Sequence, residues 1–107
     1  MFLRFLLIII FSLPGISLTI IDVRTEAEWK TGHLDGAIHI EWQNILQIPS
    51  KISKDEEIYL YCRSGNRSGK ATKILTDAGY MNALNAGSIE QASKLFAKSE
   101  GSNMSKI

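Results

Sequence analysis

The stretch "EIYLYCRSGNRSGKATKILTDAGY" (57–80) decides how the chain folds. Its first six residues alternate and are rich in aromatic and β-branched side chains, the pattern of a strand. From residue 68 onward, Ala71, Ile74, Leu75 and Ala78 share one helical face, and Gly79 stands where a left-handed C-cap belongs. Between strand and helix lies a short cationic loop, "CRSGNR" (62–67), with the only cysteine of the chain. Strand, loop and helix in that order belong to a β-α-β unit.

The flanking sequence repeats the pattern. "LTIIDV" (18–23) is a nearly continuous apolar run and reads as a buried strand. "TEAE" (25–28) is a capping box that opens a short helix through Trp29 and Lys30, ended by Gly32. "GAIHI" (36–40) reads as a second strand. In "EWQNILQI" (41–48), Trp42, Ile45, Leu46 and Ile48 fall at near-helical spacing before Pro49. "SKISKDEE" (50–57) is a solvated connection. "MNALNAG" (81–87) reads as a fourth strand and turn. "SIEQASKLFAK" (88–98) predicts an amphipathic helix with Ile89, Ala92, Leu95 and Phe96 inward. The fold class is therefore α/β: a small, mainly parallel sheet with helices on both faces. Ligands of such sheets bind at the carboxyl ends of the strands, and Cys62 occupies one.

The amino-terminal segment is different in kind. "MFLRFLLIIIFSLPGIS" (1–17) has a positive start, an apolar stretch from Phe5 to Phe11, a break at Pro14-Gly15, and small residues at Gly15 and Ser17. That is the layout of a secretory signal peptide cleaved after Ser17. An uncleaved anchor fits less well, because a spanning helix needs about 20 apolar residues. The expected organisation is a signal peptide (1–17), one domain (18–98) and a flexible polar tail (99–107). Removing residues 1–17 from 107 leaves 90, and the loss of Arg4 takes the formal charge from +1 to 0. Twelve Lys+Arg against eleven Asp+Glu give no strong field, and no basic stripe interleaved with aromatics marks a nucleic-acid surface. Export brings an oxidising compartment, where cysteines come in pairs. A single cysteine there is a buried bystander, half of an intermolecular bridge, or a reactive thiol.

The residues around Cys62 favour reactivity. Backbone N–H groups of the loop can turn inward as an anion-binding nest, helped by Gly65. The helix that follows adds its positive end. Arg63 and Arg67 add full charges, and their planar forks suit oxyanions. All of these favour a thiolate at Cys62, below the free-cysteine value of about 8.5. His33 and His39 read as structural, since a metal site needs more ligands than they supply. Asp22 and Arg24 read as ties from the first strand to neighbouring loops. Trp29 and Trp42 read as core.

At family scale the chain resembles the single-domain rhodaneses, which are thiosulfate sulfurtransferases, and in particular their small exported phage-shock type. The resemblance covers residues 19–97 and rests on four motifs in order: "IIDVRTEAEW" (20–29), "GHLDGAIHI" (32–40), "YCRSGNRS" (61–68) and "AGYMNALNAGS" (78–88). One departure is visible. The family often closes with two glycines, and Ser88 takes the place of the second, which puts the local turn in question. The resemblance implies that Cys62 is the nucleophile and persulfide carrier and that the amides of Arg63, Ser64, Gly65, Asn66, Arg67 and Ser68 cradle the persulfide. It implies that Arg67, and more loosely Arg63, hold an anionic donor such as thiosulfate, with Ser68 hydrogen-bonding the sulfur. The acceptor is then cyanide, a thiol or a protein, with no metal or organic cofactor. A monomer in the periplasm, where the host has one, is the matching expectation.

Two rival enzymes share this broad fold, a phosphatase and an arsenate reductase. Their loops resemble Cys, five residues, Arg, whereas four residues separate Cys62 from Arg67. The shorter loop suits one sulfur atom rather than a phosphoryl group. A non-catalytic binding module of the same family often lacks the cysteine, which this chain keeps. Amino-terminal sequencing of the protein from its own host tests the leader: it should begin at Leu18, and an intact residue 1–17 segment on a membrane-bound product would contradict cleavage.

Overall fold

The computed structural model describes residues 18–104. The order of elements is β1 (Leu18–Asp22), α1 (Glu26–Lys30), β2 (Ile38–His39), a 3-10 helix (Trp42–Gln47), β3 (Glu57–Cys62), α2 (Asn66–Asp77), β4 (Ala83–Ser88) and α3 (Ile89–Met104). The strands form one sheet in the order β2-β1-β3-β4, and every neighbouring pair is parallel. The leader expected at 1–17 lies outside the described residues. Among the described residues, no helix is long and apolar enough to cross a membrane.

Alternation along β3 sets the two layers. Ile58, Leu60 and Cys62 point to one face and join Ile21, Ile45, Ile48, Ile52, Ala71 and Leu75 in a single core, which packs the 3-10 helix and α2 on that side. Tyr59, one residue out of phase, points to the other face, where its ring meets Phe96 of α3 edge-on at 5.4 Å. Helices therefore cover both faces, as the strand–helix alternation predicts.

Three local expectations need correction. The segment "GAIHI" contributes only Ile38 and His39 to the sheet, because Gly36 is left-handed (φ +81) and Ala37 closes a turn onto the Leu34 carbonyl at 3.1 Å. The 41–48 segment is a 3-10 helix broken at Asn44, with Ile45 and Ile48 buried and Leu46 63% exposed. A 3-10 helix has three residues per turn, so Trp42, Ile45 and Ile48 line up and Leu46 turns outward. In α3, Leu95 is 47% exposed. At about 100° per residue it lies roughly 90° from the centre of the stripe of Ile89, Ala92 and Phe96. Helical backbone continues to Met104.

The strand order places the functional region. β1 is followed by a neighbour on one side (β2) and flanked by β3 on the other, so the connections leaving β1 and β3 diverge. A crevice opens beyond the carboxyl ends of those two strands, the usual ligand position in such sheets.

Candidate active site

The wall of this crevice is built by the end of β1. Asp22 is fully buried and Arg24 is 6% exposed. The Arg24 amide donates to Asp22 Oδ1 at 2.9 Å, its Nε to both carboxylate oxygens at 3.0 Å, and its Nη2 to Oδ2 at 2.7 Å. Nη2 also donates to the Gly32 carbonyl at 2.7 Å. His39 Nε2 donates to the Arg24 carbonyl at 2.7 Å. Leu34 N–H donates to the buried Tyr61 hydroxyl at 3.0 Å. Burial is the main cause that pushes this phenol up to about 12, so it stays neutral. Removing either member of the Asp22–Arg24 pair would strand a buried charge, which typically costs about 3–5 kcal/mol. The pair and its bonds tie the loop 31–34 to β1, the structural role expected for these two residues.

On that frame sits α1. Thr25 and Glu28 form the expected capping box: Glu28 N–H donates to Thr25 Oγ1 at 3.2 Å, and Thr25 N–H donates to Glu28 Oε1 at 2.9 Å. No residue of α1 is fully buried. Trp29 stacks on His33 (centroids 3.4 Å apart, planes within 1°) and on His39 at 5.1 Å. Both histidines thus act as packing partners, and no cluster of three or more potential metal ligands occurs among the described residues.

The loop after β3 holds Cys62. Cys62 ends the strand and is fully buried. Gly65 is the N-cap of α2 in the left-handed region (φ +96), with no side chain to cap the helix. The sulfur of Cys62 takes that role. Sγ accepts from Gly65 N–H at 3.0 Å and from Ser68 N–H at 3.4 Å, and the Ser68 hydroxyl lies 3.4 Å away. An anion at this place also meets the positive end of the helix. Burial pushes the thiol up, while the Ser68 hydroxyl and the amides of Ser68, Gly65 and Ser64 pull it down and prevail, so Cys62 ionises below the ordinary thiol value. The hydroxyl is the less steady donor of these. Its single proton is nearer Asn85 Oδ1, at 2.6 Å, than the sulfur, so the amides are the steadier donors.

The two arginines part company here. Arg67 Nη1 and Nη2 donate to the two oxygens of Glu28 at 2.8 and 3.1 Å, and both side chains are mostly shielded (27% and 24% exposed). The Arg67 guanidinium is the main influence holding the Glu28 carboxyl down to about 2, opposed by burial and helped by Thr25. The folded value lies below the ordinary 4.5. The pair's contribution to stability is therefore complete above that pH and fades as pH falls toward 2. Arg67 spends its charge on Glu28 rather than on an open pocket. Arg63 is exposed and faces a depression of about 610 Å³ shared with Arg24, Glu28, Thr31 and Glu90. Ser64 accepts from Asn66 N–H at 3.3 Å and shapes the turn. A larger hollow of about 780 Å³ flanks β2 and the start of β1, and Cys62 does not line it.

Three contributors escape the sequence reading. Asn85 on β4 accepts from the Ser68 hydroxyl and from Gly87 N–H at 2.9 Å, and donates to the Gly65 carbonyl at 3.0 Å. One side chain thus clamps the loop from the neighbouring strand. A register shift in the β3–β4 pairing sets Asn85 opposite Leu60 and Gly87 opposite Tyr61. Ser88, the departure from two glycines, resolves cleanly. Its Oγ accepts from Gln91 N–H at 3.0 Å, and Gln91 Oε1 accepts from Ser88 N–H at 2.9 Å. That is a second capping box, at the start of α3, and its "S-x-x-Q" spacing was readable in "SIEQ" (88–91). The third is Glu28 as partner of Arg67, across 39 positions of sequence. The rate at which a small haloacetamide alkylates Cys62 should rise with pH to a midpoint below that of free cysteine, about 8.5. Ser68→Ala should raise that midpoint without restoring the free value, because the amides remain. A wild-type midpoint at or above the free value would contradict this geometry.

The model of the rhodanese-like domain family matches residues 13–95. Thiosulfate sulfurtransferase PspE of Escherichia coli is 33% identical over 87 residues, which cover 78% of this chain and 84% of that protein. The putative sulfur carrier protein YrkF of Bacillus subtilis is 32% identical over 69 residues, 64% of this chain and 37% of that protein. The chain spans only 16% of the adenylyltransferase and sulfurtransferase UBA4 of Lodderomyces elongisporus, at 36% identity. Among solved structures, a rhodanese with anions from E. coli superposes with a TM-score of 0.63 at 30% identity, over 70% of this chain and 91% of the other. With a family match across most of its length, a parallel sheet of the same fold and a loop cysteine at the carboxyl end of β3, the chain belongs to the rhodanese-like domain family.

Proposed function

We propose that the protein is a sulfurtransferase that carries sulfane sulfur as a persulfide on Cys62, with thiosulfate as donor and cyanide or a thiol as acceptor. The observation that carries this reading is the ring of donors closed on one sulfur atom: Gly65 and Ser68 amides at 3.0 and 3.4 Å from Sγ, in a loop with four residues between Cys62 and Arg67.

The chemistry follows from that ring. The Cys62 thiolate attacks the terminal sulfur of thiosulfate. A new S–S bond forms, the donor's S–S bond breaks, and the electron pair leaves on sulfite. The persulfide's outer sulfur then carries the negative charge, and the loop amides of Arg63 to Ser68 are the donors at hand to stabilise it. Cyanide or a thiolate takes the outer sulfur in the second step and returns Cys62 as thiolate. Two half-reactions through one covalent intermediate give ping-pong kinetics. Because Cys62 has no exposed surface, the loop must part slightly to admit the donor, which favours small or slender ligands.

A protein acceptor is the second reading, supported by a relative named as a putative sulfur carrier. In either case Cys62 is the carrier. Residues 1–17 would direct export, and the folded unit of 18–98 would act outside the cytoplasm as a monomer.

Cys62→Ser should abolish sulfur transfer from thiosulfate to cyanide while leaving the far-ultraviolet circular dichroism unchanged. Insertion of alanine after Asn66 should widen the ring and displace Arg67. A misplacement of about 1 Å can cost on the order of 100-fold in rate. Wild type should not hydrolyse an aryl phosphate usefully. Substantial transfer by the Cys62→Ser variant, or efficient phosphate-ester cleavage by wild type without thiosulfate turnover, would overturn the proposal.

A further inference from the structure

The charges around the crevice nearly cancel. Arg24 is consumed by Asp22, and Arg67 is consumed by Glu28 through two hydrogen bonds. Among the described residues, Arg63 is the cation of this region without an ion pair, and Glu90 shares its depression. What remains at the sulfur is the amide nest and the start of α2, equivalent to about half a positive charge. The thiolate itself already uses that. A doubly negative donor approaching an anionic sulfur therefore finds Arg63 as the one unpaired cation of the loop among the described residues, and it finds the Glu28 and Glu90 carboxylates lining the same depression as Arg63. A singly negative donor meets half of that repulsion.

We infer that Glu28 is a specificity-determining residue: by holding both arms of Arg67, it biases the loop toward singly charged sulfane-sulfur donors over doubly charged ones. The inference rests on the sulfurtransferase reading. Glu28 remains ionised throughout the working pH range, since Arg67 holds its carboxyl near 2. Its second task, capping α1, is separable from its charge. Glutamine serves equally well at the third helical position of a capping box, and one amide oxygen can still accept from Thr25 N–H. Glu28→Gln thus keeps the helix start, removes the negative charge, and breaks at least one of the two bonds to Arg67.

Two donors with the same reacting atoms separate charge from chemistry. Thiosulfate is a dianion. The methanethiosulfonate anion has a methyl group in place of one oxyanion and carries a single negative charge. In both, the Cys62 thiolate takes the terminal sulfur, and the electron pair of the broken S–S bond leaves on sulfite or on methanesulfinate. Three negative charges stand on each side of the first reaction and two on each side of the second. Cyanide is the acceptor throughout, so kcat/KM for the donor reports the first half-reaction alone.

In Glu28→Gln, kcat/KM for thiosulfate should rise, and the ratio of thiosulfate to methanethiosulfonate should increase on the order of fivefold, the effect of one charge acting on one extra charge in a solvent-screened site. Added salt should shrink the increase. Glu28→Ser, neutral and too short to reach Arg67, should shift the ratio in the same direction, and serves if the glutamine variant is unstable. A purely structural Glu28 would change both donors together and leave the ratio within twofold of wild type, in both variants and at low salt; that result would overturn the inference while leaving sulfur transfer intact. Failure of wild type to turn over either donor would instead overturn the sulfurtransferase reading, and this inference with it.

Discussion

A helix that starts on glycine has no side chain to receive its first N–H groups, and in this protein a sulfur atom receives them. Gly65 opens α2 in a left-handed conformation, and Cys62 Sγ accepts from the amides of Gly65 and Ser68. The arrangement serves both partners. The helix gains a cap, and the sulfur gains a site that favours its charged form. A side chain at position 65 would have to adopt the same positive φ, which is the strain that favours glycine there; its Cβ would meet the Gly87 backbone only at ordinary contact distance, 3.4 Å.

The remainder of the structure keeps this geometry from relaxing. β3 is a central strand, paired on both sides, so Cys62 leaves the sheet from a rigid base. Asn85 fixes the loop from β4 by bonding Gly65 and Ser68 at once. Asp22 and Arg24 lock the end of β1 to the loop at Gly32, and α1 then delivers Glu28 to Arg67. That ion pair joins the element after β1 to the element after β3 across the crevice. The Cys62 loop is therefore braced by three neighbours. Its arginine is a strut as well as a charge, which is why the electrostatics of the crevice differ from the sum of its residues.

Much of this was legible in the sequence, for identifiable reasons. The strand, loop and helix of 57–80, the capping box at Thr25 and the C-cap at Gly79 are local patterns, and each appears as read, Gly79 with φ +104. Asp22 and Arg24 also serve as ties. Local patterns failed at the three-residue turn, which departs from the α-helical period and exposes Leu46, and at the edge of the buried stripe of α3, where Leu95 stays outside. The shortening of the second strand depends on a turn at Gly36 that period-two reading misses. Long-range partners were invisible. Nothing near Arg67 announces that Glu28 will bind it, and Asn85 looks like any polar residue in a strand until the β3–β4 register sets it beside Ser68. The "SIEQ" capping box is the exception, a local signal that stands in the sequence.

The central claim is that Cys62 is a sulfur carrier, and the mass of the intact protein tests it most directly. Protein treated with thiosulfate and freed of excess donor should gain the mass of one sulfur atom, located on Cys62 by fragmentation, and should lose it on addition of cyanide with thiocyanate appearing in equal amount. An unchanged mass, or a gain that cyanide does not discharge, would contradict the account.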